Sequence, residues 1–168
     1  MATRIDTARL LAAIRRGYVL DWDGIHGAAH WARVRENGLR LSAVTGARAD
    51  VVELFAFLHD SRRKNEWIDD GHGARGAALA RELRGDAFDI DEEGMLLLLE
   101  ACAAHTDGVL SGEPTVGTCF DADRLAVATL RLPPIAGATP EQRAQRVQSI
   151  VDRVAAITGV EFAAAASA

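Results

Sequence analysis

All five histidines of this chain, His26, His30, His59, His72 and His105, lie along the sequence in one ordered series with Asp60 and Asp123. Nitrogen and carboxylate ligands spread this widely meet only if the fold gathers them around metal, so several distant elements must converge on one point. The length allows one such core: 168 residues suit a single compact domain, since domains typically hold about 100–150 residues.

Helical periodicity dominates, and strict apolar/polar alternation over strand length is hard to find, so the fold class is all-α, a compact helical bundle. Ile5, Leu10, Leu11 and Ile14 mark a first amphipathic helix ending near Gly17. A turn through Asp21, Trp22, Asp23 and Gly24 leads into a second, from about His26 to Glu36. Asp50 is placed as the N-cap of a helix from Val51 to His59, and a charged loop from Arg62 to Gly71 follows. The next helix runs from about His72 to Arg84, with Gly85 as its terminator. Asp91 to His105 forms another, whose run Met95 to Leu99 reads as the most buried wall of the core. Asp107 and Gly108 open a loop holding Gly112, Pro114 and Gly117, after which Cys119 to Leu130 reads as a helix stopped by Pro133 and Pro134. Residues 1–132 then form the metal-binding helical domain. Residues 133–168 add one helix, started by a capping box at Thr139–Gln142, and a tail expected to fray. One helix cannot make its own core, so it should pack on the same unit or on a partner subunit, which leaves a homodimer open.

Composition narrows the partners. Net charge is -5, and the basic residues are scattered rather than gathered into a stripe, which argues against a nucleic-acid polymer as ligand. The first residues lack the apolar run of a signal peptide and no stretch approaches the roughly 18 apolar residues of a membrane span, so a cytoplasmic protein without a membrane partner is expected. Cys102 and Cys119 lack thiolate-site spacing and read as buried reduced thiols.

His59 shares the inward stripe of Val52, Phe55 and Ala56, and the adjacent Asp60 makes a buried polar pair that needs a partner. His26 and His30 stand one turn apart but lack the glutamate of H-E-x-x-H, which excludes that protease motif. His72 opens a helix whose Gly73, Ala74 and Gly76 allow close backbone approach; His105 closes one. Asp121 reads as an N-terminal charge complementing a helix dipole.

The order H-x-x-R-V at His30, the His59-Asp60 pair, and Asp123 in D-A-D-R-L resembles the HD-domain superfamily of metal-dependent phosphohydrolases over roughly residues 20 to 130. That resemblance implies an all-α core bringing His30, His59, Asp60 and Asp123 to one metal. Members with two metals add two histidines between the H-D pair and the last aspartate, where His72 and His105 stand, and Asp60 would be the bridge. Arg63 occupies the place where some members carry a lysine, and Asp60 and Arg63 are the catalytic candidates. After D-A-D-R-L, Ala126-Val127-Ala128-Thr129 stands in place of the acidic, glycine-containing stretch common in relatives.

Histidine and carboxylate without thiolate suit one or two divalent ions, iron, manganese, cobalt, nickel, zinc or magnesium. Such an ion lowers the pKa of bound water enough to supply hydroxide for attack at phosphorus. Arg62 and Lys64 are candidates to hold phosphate oxygens, His26 to bind substrate, and Trp22 and Trp67 to line a pocket, with Trp31 in the core. The expected function is hydrolysis of a small phosphorylated metabolite or nucleotide, as a monoester or diester. A di-iron oxygenase of the same superfamily and a non-catalytic metal or nucleotide-binding module are the alternatives.

Overall fold

A computed structural model describes residues 3–106 and 110–128. Its helices are α1 (Thr7–Gly17), α2 (Ala28–Thr45), α3 (Ala49–Leu58), α4 (His72–Leu83), α5 (Glu92–Ala104) and α6 (Pro114–Ala128). Two strands of two residues each, β1 (Arg4–Ile5) and β2 (Phe88–Asp89), pair antiparallel and fasten the start of α1 to the α4–α5 turn. They are too short to leave an alternation in the sequence, and the protein is a helical fold as anticipated.

α3 is the axis of the bundle. Seven of its residues, Val51, Val52, Leu54, Phe55, Ala56, Phe57 and Leu58, are buried, as a helix apolar on all faces must be. α2, α4, α5 and α6 all pack on it, and α2 also packs along α6, α4 along α5. In α5 only Met95 and Leu98 of the Met95–Leu99 run are fully buried, while Leu96 is 61% exposed. α5 leaves one face to solvent, and its 3.6-residue period turns Leu96 onto that face, so the central wall is α3, packed on by four helices, rather than α5.

Several boundaries differ from the sequence reading. α2 starts after His26, at Ala28, and runs nine residues past Glu36 to Thr45, where Gly46 ends it in the left-handed region at φ 73°. Gly38 does not interrupt it because that glycine is where α2 presses against Val52 of α3. Arg48, not Asp50, precedes α3. Asp50 sits in the first turn, where its carboxylate accepts from the Val51 amide at 2.9 Å and from Arg48 Nη2 at 2.8 Å. α6 begins at Pro114, five residues before Cys119, with the Glu113 carboxylate accepting from the Val116 amide at 2.6 Å; proline is at home in a first helical turn. Asp121 consequently lies inside the helix, 3.5 Å from Arg124 Nη1, rather than at its start. The appended helix expected after Pro134, its tail, and the Asp107–Gly108 turn lie outside the described residues. Among the described residues no helix is long and apolar enough to cross a membrane.

Candidate metal centre

Five helices deliver one side chain or pair each to a single buried point. His30 comes from the first turn of α2, His59 and Asp60 from the C-terminal end of α3, His72 from the first residue of α4, His105 from just beyond α5, and Asp123 from α6. Small residues make the convergence feasible. A Cβ on Gly73 would collide with the Cys102 carbonyl, and one on Gly76 with the Leu58 carbonyl, so α4 lies directly on the ends of α5 and α3.

Three of the imidazoles are oriented by main-chain carbonyls, whereas His30 Nδ1 is buried without a hydrogen-bond partner among the described residues. His59 Nδ1 lies 3.0 Å from Phe55 O, His72 Nδ1 2.7 Å from Asp69 O, and His105 Nδ1 2.8 Å from Cys102 O. A carbonyl only accepts, so each of these Nδ1 atoms carries a proton and each ring turns its Nε2 inward. There the nitrogens face one another: His30 Nε2 is 3.2 Å from His59 Nε2, and His72 Nε2 is 3.0 Å from His105 Nε2.

Asp60, 2% exposed, divides these rings into two sets. Its Oδ2 lies 2.8 Å from His26 Nδ1, 3.6 Å from His59 Nε2 and 3.7 Å from His30 Nε2. Its Oδ1 lies 3.1 Å from His72 Nε2, 3.7 Å from His105 Nε2 and 3.3 Å from Arg63 Nη1. Asp123 completes the first set, with Oδ1 3.2 Å from His30 Nε2 and 3.6 Å from His59 Nε2. The side chains fit a cation by their chemistry: acceptor lone pairs converge from several directions on two carboxylates, and the combinations His30–His59–Asp123, His59–Asp60–His105 and His26–His30–Asp60 could each hold a metal ion.

The electrostatics make the same demand for positive charge. Burial works against a charged His59, yet Asp60 and Asp123 push it up to about 9. Burial pushes His30 down, against the pull of Asp123. Burial would raise Asp60, but His59 and the hydrogen bonds of His105, His26 and His72 hold it well below the usual carboxylate range. Asp123 is likewise held low by His30 and His59 in spite of its burial.

The basic loop separates into three different environments. Arg63 is buried and reaches the cluster, donating from Nη1 to His72 Nε2 at 3.0 Å as well as approaching Asp60. Arg62 does not: its guanidinium donates to Ile14 O at 3.1 Å and Ala13 O at 3.5 Å, closing the C-terminal end of α1. Its guanidinium is thus engaged by α1 rather than by the cluster. Lys64 is exposed, and its backbone amide donates to Asp69 Oδ2 at 2.6 Å.

A cavity of about 430 Å³ adjoins the second set, lined by Arg63, Trp67, Ile68, Asp70, His72 and Thr106 among others. Trp67 thus lines a pocket. Trp22 instead packs edge-on with Tyr18 and the fully buried Trp31. His26 is not helical but sits in the turn before α2, and still reaches Asp60.

Two features had no signal in the sequence. Asp69 holds His72 through its carbonyl while its carboxylate binds Arg75 Nη2 at 2.6 Å. Among the described residues Tyr18 Oη and Glu66 Oε2 are buried without a hydrogen-bond partner, and the phenol is raised by burial and then by Glu66 and Asp60.

No protein-family model matches this chain, and no curated protein matches it. Among solved structures it is similar to a predicted HD superfamily hydrolase from an uncultured Thermotogales bacterium, with a TM-score of 0.60 over 92% of this chain and 90% of that one, at 22% sequence identity. The chain therefore has the helical fold of an HD-domain protein.

Proposed function

We propose that this protein is a metal-dependent phosphohydrolase that cleaves a small phosphorylated metabolite or nucleotide, as a monoester or diester. The observation that carries the reading is the Asp60 carboxylate, whose two oxygens face two separate imidazole sets. The HD-type fold supports it. His30, His59, Asp60 and Asp123 would hold one divalent ion, and His72, His105 and Asp60 are the ligand set for a second. Bound divalent ions supply Lewis-acid activation of water and charge neutralisation at phosphoryl oxygens.

The chain's own groups do the rest. Arg63 borders both the cluster and the cavity, so it orients a phosphoryl group between them through charge-assisted hydrogen bonds. His26 holds its Nδ1 proton on Asp60 Oδ2, which leaves Nε2 as a proton acceptor at the rim of the site, oriented by the carboxylate behind it. Its side chain is 16% exposed, against 0% for His30 and His59, so it is the imidazole of the first set that solvent or substrate can reach. Trp67 offers an apolar ring face to the remainder of the substrate.

The test is hydrolysis of a panel of phosphomonoesters and phosphodiesters by metal-loaded wild type and Asp60→Ala. Loss of turnover in folded, metal-loaded variant is the expected result. Turnover retained at the wild-type rate would overturn the proposal.

A further inference from the structure

Arg63 is clamped from several sides. Nη2 donates to Trp67 O at 2.7 Å and Nε to Asn65 O at 3.4 Å, while Nη1 donates to His72 Nε2 at 3.0 Å and Asp60 Oδ1 at 3.3 Å. With 7% of its surface exposed, the guanidinium is part of the site rather than a solvated loop charge. His72 and His105 keep their Nδ1 protons on Asp69 O and Cys102 O. The inward acceptors of this half are therefore His72 Nε2, His105 Nε2 and Asp60 Oδ1, and the positive donor facing two of them belongs to the chain itself. The other half differs. In the described contacts His30 Nε2, His59 Nε2 and Asp123 Oδ1 meet one another, and Asp60 Oδ2 meets imidazoles, without a guanidinium or ammonium among them.

We propose that the Arg63 guanidinium takes the place of a second cation, so that the protein holds one divalent ion tightly, on His30, His59, Asp60 and Asp123, and admits another at His72 and His105 only when Arg63 is displaced. This rests on the metal-centre reading above. The reason is electrostatic: a permanent positive charge hydrogen-bonded to two of the three acceptors both occupies their lone pairs and repels a divalent ion. The anchors at Asn65 and Trp67 add control. Trp67 lines the cavity, so a phosphorylated ligand that draws the guanidinium towards its own oxygens would free the second ligand set at the same moment.

Metal counting tests this without reference to turnover. Chelator-stripped full-length protein is titrated anaerobically with Mn²⁺, and free ion is followed by its paramagnetic resonance signal. Wild type is expected to bind one ion tightly. Arg63→Met, which keeps the apolar stem, is expected to bind a second with affinity raised on the order of 100-fold or more, and Arg63→Met/His72→Ala to return to one. Two tight ions in wild type, or one in both wild type and Arg63→Met, would overturn the proposal while leaving a metal centre in place. A tight ion that persists in His59→Ala, or no tight ion in wild type, would instead overturn the metal-centre reading. Should Arg63→Met fail to fold, His72→Ala decides alone: the tight ion is expected to remain, and its loss would refute the substitution of cation by guanidinium.

Discussion

Asp60→Asn changes charge and almost nothing else, since the amide matches the carboxylate in shape. In the metal-free protein the carboxylate is 2% exposed and its nearest permanent positive charge is Arg63, itself 7% exposed and 3.3 Å away. The other carboxylate of the cluster, Asp123, is engaged with His30 and His59 in the opposite half. Removing the Asp60 charge therefore strands a buried guanidinium. Breaking a buried ion pair from one side costs about 3–5 kcal/mol, and in a domain of this size each kcal/mol moves Tm by about 2–4 °C, so the metal-free variant should melt about 6–20 °C below wild type.

Thermal unfolding followed by circular dichroism, in chelator near neutral pH, measures that difference. The cause is isolated by repeating the substitution in an Arg63→Met background, where no charge is left to strand. The penalty for Asp60→Asn should then shrink by about 2 kcal/mol or more, within the range of couplings seen between residues in contact. An additive double variant, or Asp60→Asn melting above wild type, would refute the reasoning. The second result would mean that Asp60 in the metal-free protein is a repelled carboxylate rather than the partner of Arg63.

Other consequences can be checked independently. Tyr18→Phe removes a buried hydroxyl that has no partner among the described residues, so metal-free stability in urea should rise by about 1 kcal/mol; a fall would show that the hydroxyl is bonded in solution. Gly73→Ala puts a methyl group against the Cys102 carbonyl that orients His105, which should cost about 1–3 kcal/mol of stability by overpacking and weaken binding at the His72–His105 set, read by calorimetry with Mn²⁺ in the Arg63→Met background. Asp50 and Asp91 titrate at a distance from the cluster. Burial would raise Asp50, but Arg48, Thr3 and the Val51 amide outweigh it, and Arg48 and the Gly94 amide lower Asp91. Folded pKa values below unfolded ones give stability that is present above pH about 4 and lost as pH falls through the folded values. The urea midpoint of wild type should thus drop below pH about 4, and the gap between wild type and Arg48→Met should close there; a gap constant from neutral to acid pH would refute the pairing.

The histidine and aspartate cluster was legible because its residue types are few and expensive to bury. An imidazole at the end of an apolar helix such as α3 has no inexpensive alternative to a partner, and all five histidines do end at one cluster, His26 included. Chain order supplied the rest of the ligand series, and the bundle follows from the 3.6-residue period that the helices display openly. What could not be read is what depends on direction at a chain end. Asp50 is a good N-cap by type but lies inside the first turn, because the helix start is set by the packing of Val51 and by Thr115 receiving the Arg48 amide. Pro114 is equally consistent with a loop and with a first helical turn.

The pair Arg62 and Arg63 shows the limit most clearly. Adjacent, identical and both in a charged loop, they invite one role, yet they leave the end of α3 on opposite sides. Arg62 turns back to the last carbonyls of α1, where a guanidinium complements the negative end of the helix dipole. Arg63 turns forward to His72, which reaches it only because Gly71 adopts φ 77° at the start of α4. Nothing in the two side chains distinguishes them; the difference is made by which helix end each meets. A loop of basic residues beside the histidine and aspartate cluster therefore supplies one arginine to the fold and one to the cluster, and exchanging their fates by substitution separates the two functions: Arg62→Met should lower stability and leave the Mn²⁺ count at one, whereas Arg63→Met should change the count. A raised ion count in Arg62→Met would mean that the loop acts as a unit and that this assignment is wrong.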